Sequence, residues 1–321
     1  MAQRTALTGT RTLVSTILIL VGAVAVSASV TAHWMGTVLL DNDTFVAATS
    51  PLLVDNATLQ VTSDRVSDAL LKQLDLKALT EANVPDSLRS LVGGLAADFE
   101  QFARDQVSAA VHSAGFATLA TSRLRAWHLA FARTITTRSA SAPTEGTALR
   151  VTLGPYIDLL AQKTDQPLVR YVLERLPDGV RDAQVAVLDA QPFADRLPAL
   201  RALSRARPCL PWAAALALAL GLFVAPRKRL AMVGSGVALV ASAIALKALV
   251  ASEAGRAARL VSGSMGASPA ASTQAIDSLT APLLAWNQWV IGAGAALVAL
   301  GVILLLLQRR KPAQPDLPDE G

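Results

Sequence analysis

The chain has 321 residues, 52% of them apolar and only 17% charged, with a mean hydropathy of +0.43, which excludes a disordered or fibrous protein and points to a membrane class. One cysteine, Cys209, and three scattered histidines, His33, His112 and His128, exclude a disulfide framework and a cysteine- or histidine-rich metal cluster. The formal charge of +5 matters less than where its members stand.

Four apolar runs predict transmembrane helices. The first, 13–32, is uncharged, opens after Arg4 and Arg11 and ends before His33 and Trp34. At about 1.5 Å rise per residue it matches a hydrocarbon core of about 30 Å. Its competitor is a signal peptide, because Val26-Ser27-Ala28 resembles a cleavage site. The rest of the chain already commits the protein to the membrane, which favours a retained anchor. The second run, 210–226, is the shortest, with Pro208 and Pro211 at its start and Trp212 as an interfacial anchor. The third, 230–250, carries only Lys247, placed to snorkel, and has Gly234, Ser235, Gly236, Ala241, Ser242 and Ala245 for close helix contact. In the fourth, 289–307, Trp286 and Trp289 form an aromatic flank and Gly292 with Ala296 a small-residue spacing.

Basic residues in short flanking loops mark the cytoplasmic side. Arg4 and Arg11, then Arg227, Lys228 and Arg229, then Arg309, Arg310 and Lys311 all fall on one side if the four runs cross. Both termini (1–12 and 308–321) and the loop 227–229 are therefore expected in the cytoplasm, with 33–209 and a loop 251–288 outside. The segment 33–210 then holds 18 basic and 19 acidic residues, so the high isoelectric point reflects topology and nucleic-acid binding loses its warrant. No Asp, Glu or His lies deep in a run and no proline interrupts one in mid-span, which weakens an ion-coupled transporter.

The outer segment reads as mainly helical. Asp41-Asn42-Asp43-Thr44 is a capping cluster ahead of Phe45 and Pro51. Val66, Leu70 and Leu74 form one helical stripe. After a break near Pro85, Leu88, Leu91, Leu95, Phe99 and Phe102 form a second. A further helix over 116–136 has Phe116, Leu119, Leu124, Trp127 and Phe131 as core candidates. Residues 139–146 read as a loop, 149–153 and 184–189 as two strands of a small ribbon, 166–176 as a helix between them, and a proline-containing segment from Pro192 leads to the second run.

Few residues suggest chemistry. Asp41 and Asp43 have the oxygen ligands of a calcium loop but lack the glycine and distal glutamate of an EF-hand, so capping is the better reading. Trp127 and His128, with Arg123 and Arg125, make the candidate functional surface, yet no serine or cysteine motif turns His128 into a base. Asp178 and Asp182 flank Gly179 and Arg181 and read as a solvated turn with an ion pair. Cys209 reads as a passive thiol, and Glu253, Arg256 and Arg259 as a surface salt bridge. Phosphate-loop, dinucleotide, zinc-protease and nucleophile-elbow motifs are missing, so no catalytic residue, cofactor or metal is expected.

Trp34 with Thr37-Val38-Leu39, Asp43-Thr44-Phe45-Val46-Ala47 leading to Pro51-Leu52, the 102–107 helix, 116–128 and Leu153-Gly154-Pro155 resemble the landmarks of a family of uncharacterised actinobacterial integral membrane proteins. The resemblance covers most of the chain. It implies four spans, a large extracellular domain after the first, and a Gram-positive cell membrane, and it transfers no reaction.

The expected fold is thus four transmembrane α-helices with a mainly α-helical external domain containing a small two-stranded β element. The expected function is a non-enzymatic envelope scaffold or interaction component, its partners membrane lipids and either an envelope protein or a second copy of itself. The alternative is an accessory or oligomeric subunit of a transport system, and a membrane enzyme is a third reading.

Overall fold

The computed structural model describes residues 2–74, 89–137, 148–163, 170, 178–189 and 196–309. The break near Pro85, the loop 139–146, all but Arg170 of the helix 166–176, the stretch from Pro192 to Asp195, and Arg310 and Lys311 lie outside them.

In chain order the elements are α1 (Ala2–Trp34), a π-helical turn (Met35–Leu39), α2 (Asn42–Leu53), α3 (Asn56–Leu74), α4 (Arg89–Val111), α5 (Ala114–Thr136), β1 (Ala148–Thr152), α6 (Gly154–Lys163), α7 (Asp178–Arg181) and β2 (Gln184–Asp189). There follow α8 (Leu197–Ala206), α9 (Leu210–Val224), α10 (Lys228–Met265) and α11 (Pro269–Arg309). Strands β1 and β2 pair antiparallel from Ala148 opposite Asp189 to Thr152 opposite Gln184, with a bulge between Leu149 and Arg150. The chain is mostly α-helical.

Two units emerge. One comprises Met1–Thr37, Ala202–Glu253 and Thr280–Gly321, the other Val38–Arg201 and Ala254–Leu279.

The first unit is a bundle made by close approach at small residues. Side chains are absent from Gly22 and Gly221 where α1 and α9 cross, since a Cβ at either would run into Leu218 or Ile19. Gly236 of α10 and Gly294 of α11 each lie against the other's backbone oxygen, and Gly301 lies against Val233. Such contacts let backbones approach where apolar lipid gives no hydrophobic drive for helices to associate. Hydroxyls add polar links: Ser15 donates to Gly221 O (2.7 Å), and Ser242 to Ala23 O (3.2 Å). Asn287, 1% exposed, donates from Nδ2 to Ala243 O (2.8 Å). The outward faces are apolar: Leu13, Ile17, Leu20 and Val24 form an exposed stripe on α1, as do Leu216 and Phe223 on α9 and Ile303 and Leu307 on α11. That surface suits lipid and not water.

The expected four transmembrane helices need correction. Among the described residues, three helical stretches are long and apolar enough to cross a membrane, Gly9–Leu39, Lys228–Met265 and Pro269–Leu307. α9 has only 15 residues and qualifies only together with α8, to which it is bent by 69°. The fold class is accordingly a mostly α-helical protein with three such helices, or four if the bent pair counts as one. The sequence could not show this, because apolar content says nothing of where the Pro208-Cys209-Leu210-Pro211 corner breaks a helix. Of the Gly292–Ala296 spacing, Gly292 faces open space, and the packed positions on this helix are Gly294 and Gly301.

In the second unit one core joins Val66 and Leu70 of α3, Ala103, Val107 and Val111 of α4, and Leu153, Tyr156 and Ile157 around the start of α6. Burial pushes the Tyr156 hydroxyl up to about 12, and its oxygen has no hydrogen-bond partner among the described residues. A second core joins Val46, Leu52 and Leu53 of α2 and Leu124 of α5 to Met265, Ala267 and Ala275. Those last residues stand where the sequence suggests an external loop. Instead α10 and α11 occupy this stretch apart from residues 266–268. Leu119, a core candidate, is exposed.

Candidate functional site

The candidate surface is built at the corner between the π-helical turn and α2. Asp41 has an extended backbone (φ −80°, ψ 121°) and its Oδ1 accepts from Thr44 N at 2.9 Å, an N-cap that ends one helix and starts the next. Hydrogen bonds from Thr44 hold this carboxyl below its ordinary value. With that oxygen committed to the cap, the Asp41–Asp43 cluster is a helix start and not a calcium loop. Among the described residues no group of three or more His, Cys, Asp or Glu could hold a metal ion.

His128, past the middle of α5, is completely buried against this corner. Its Nε2 lies 2.8 Å from Leu39 O, its Nδ1 3.1 Å from Asn42 Oδ1, and its ring stacks on Phe45 with centroids 4.1 Å apart and planes 13° from parallel. A carbonyl only accepts, so Nε2 carries the proton and satisfies an orphan carbonyl at a helix end. Burial pulls the imidazole below its ordinary value, against the opposing pull of Leu39 O and Asp41. In the neutral ring Nδ1 is an acceptor, which the Asn42 carboxamide satisfies with its NH2 once it is turned end for end. Both nitrogens and one face of the ring are thus occupied by protein, leaving no route by which His128 serves a substrate as base.

The other three residues separate. Arg125 Nη2 pairs with Asp43 Oδ1 at 3.2 Å, both side chains mostly exposed. Arg123 is exposed. Trp127 stacks on Phe131 (5.6 Å) and packs against the second core, its Nε1 buried without a partner among the described residues. The structure therefore brings Trp127 and His128 into the interior and leaves the two arginines outside. Of the remaining candidates, Arg181 pairs with Asp158 of α6 at 2.8 Å, Asp182 is exposed, and so are Cys209, Arg256 and Arg259.

The topology residues take these places: Arg4 and Arg11 on α1, Arg227 in the turn after α9, Lys228 and Arg229 at the start of α10, Arg309 at the end of α11. Arg229 donates from Nη1 to Leu304 O at 2.7 Å.

One polar group that matters was not singled out from the sequence. Asp55 Oδ2 accepts from Thr58 N (3.2 Å) and from Ser268 N (3.0 Å), and its Oδ1 accepts from Ser268 Oγ (2.8 Å). Ser268 in turn caps α11, its Oγ accepting from Ala271 N at 3.2 Å. Burial opposes ionisation of Asp55, but the Ser268 and Thr58 donors outweigh it and hold the carboxyl below its ordinary value. The signals were present locally as Asp55-x-x-Thr58 and Ser268-Pro269, each a helix start; their joining was not.

No protein-family model, curated protein or solved structure matches this chain. Fold and site together describe a multi-helix protein whose apolar helices are consistent with a multi-pass membrane protein and whose described residues show no obvious catalytic motif.

Proposed function

We propose that the chain is a multi-pass cell-membrane protein with both termini in the cytoplasm, which presents the unit formed by 38–201 and 254–279 outside as a non-enzymatic envelope scaffold. The observation that carries this reading is that residues 254–279, which lie between two candidate spans, share a core with α2 and α5 of 38–201. A unit made of both segments lies on one side of the membrane. If α10 crosses between 228 and 253, residues 202–227 must cross as well, and that crossing runs through α9, from which α8 is bent by 69°. Arg4, Arg11, Arg227, Lys228, Arg229 and Arg309 then share the opposite side, as the distribution of basic residues favours. The resemblance to actinobacterial membrane proteins supports a cell-envelope setting. Interaction is favoured over catalysis because His128, Asp41 and Asp55, the polar groups best held in place, all spend their hydrogen bonds on the protein's own helix ends.

Single cysteines introduced into a Cys209→Ser background test the arrangement. With an impermeant maleimide, Thr137→Cys and Thr273→Cys should label in intact cells and Arg227→Cys only after permeabilisation. Labelling of Thr137→Cys and Thr273→Cys on opposite sides would end this reading. In-cell crosslinking of the outer unit then addresses partners: an envelope protein or lipid supports the scaffold, whereas self-crosslinks alone favour an oligomeric transport subunit.

A further inference from the structure

We infer that Arg205 and Arg207 form a docking site for the phosphate headgroup of an anionic phospholipid, at the end of α9 where α8 turns into it. Three observations converge there. First, α8 carries Leu197, Leu200 and Leu203 half-buried along one side, while Arg205 is exposed and makes no ion pair among the described residues. From Arg196 to Ser252 the sequence holds no Asp or Glu, so no carboxylate stands on α8, on α9 or on α10 before Glu253.

Second, Arg207 is placed at the level where α1 leaves its apolar stretch. Its guanidinium occupies the space over Gly36, where any side chain would collide with it. The same end of the bundle carries His33 against Trp286 (centroids 4.7 Å apart) and the exposed Trp212 and Trp289, the amphipathic rings that favour headgroup depth. The arginine is therefore held at the boundary by packing.

Third, α9 is short. Its 15 residues, at about 1.5 Å each, cover less than the roughly 30 Å hydrocarbon thickness. A short crossing draws headgroups inward and pins them with flanking cations. The 69° bend then turns α8 away from the axis of α9, toward the membrane plane, which keeps Arg205 and Arg207 near the phosphate layer. Fork-shaped guanidinium donors suit phosphate oxygens better than an ammonium would.

The site uses the membrane setting proposed above, and the orientation only names its leaflet. The test uses the full-length protein with bimane on its native Cys209, two residues beyond Arg207, reconstituted in phosphatidylcholine vesicles. Brominated phosphatidylglycerol should quench the bimane more strongly than brominated phosphatidylcholine, and added sodium chloride should weaken the difference. The preference should fall about fivefold for each of Arg205→Gln and Arg207→Gln. It should survive Arg207→Lys in part and Arg259→Gln in full, with helix content unchanged by circular dichroism. Equal quenching by the two lipids in the wild type, or a preference untouched by both glutamine variants, overturns the proposal. Loss of the preference on adding inorganic phosphate, at the ionic strength of a chloride control, assigns the site to a soluble anion and overturns it too. Labelling of Cys209 in intact cells reports orientation separately: no labelling there, with the lipid preference intact, sinks the topology and leaves the headgroup site standing.

Discussion

Asp55 and Ser268 stand 213 residues apart in sequence and share two hydrogen bonds, the Ser268 amide and hydroxyl both donating to the Asp55 carboxylate. One carboxylate thereby starts α3 through Thr58 and anchors the residue that caps α11. It fastens the short segment between two candidate spans to the body of the unit.

Removing that carboxylate should loosen both helix starts. Asp55→Ala should cost about 2–3 kcal/mol, the sum of a lost N-cap and charge-assisted hydrogen bonds, and Asp55→Asn about half as much. Because the folded carboxyl is held below its ordinary 3.8, its contribution is present above the unfolded value and is lost as pH falls through the lower folded one. Thermal unfolding in detergent, followed by circular dichroism between neutral pH and pH 3, checks both. A wild-type acid limb no steeper than that of Asp55→Asn would show that the carboxylate is not engaged.

His128 predicts a second acid dependence. Its folded value lies below the ordinary 6.5, so the unfolded chain takes up the proton first as pH drops, and stability declines below about pH 6.5. His128→Gln should flatten the melting temperature between pH 7 and 5. His128→Ala should lose about 2–4 kcal/mol at pH 7, from the cavity and the uncapped Leu39 carbonyl. Should the two pH profiles superimpose, the buried neutral imidazole is wrong.

Gly266 has φ +70°, the left-handed region that an L side chain rarely adopts, and a Cβ there would fall on Val61. Gly266→Ala should therefore destabilise by about 2–3 kcal/mol, combining a backbone penalty of 1–2 kcal/mol with a clash. Val61→Ala in the same chain removes the two methyls but leaves the Val61 Cβ in the way, so it should relieve the clash only in part and the backbone penalty not at all. Melting temperatures of the two single variants and the double variant separate these parts, and full recovery would show that the backbone conformation costs nothing.

Two glycines of α11, two residues apart, should respond oppositely. Gly294→Leu would drive a side chain into Gly236, Val240 and Leu239, whereas Gly292→Leu meets nothing within 4 Å. Expression and detergent stability should drop sharply for the first and hardly change for the second. Equal loss would mean that Gly292 faces another protein surface.

Local chemistry made much of this legible. Apolar composition located the membrane-directed segments because hydrophobicity is a property of each residue, whatever its neighbours. Asp41 was readable as a cap because capping involves only the next three residues. Tertiary structure decided the rest. Gly292 and Gly294 are the same residue type in the same helix, and only the position of α10 leaves one of them no room for a side chain. His128 looked like a candidate functional group until the corner at Leu39–Asn42 closed over it. Residues 254–279 read as a loop because small and polar residues interrupt the apolar runs, and their place in the core depends on Asp55 and Val61, far away in the chain. Sequence determines what a segment tends to be; which distant segment completes its hydrogen bonds and fills its contacts is a property of packing alone.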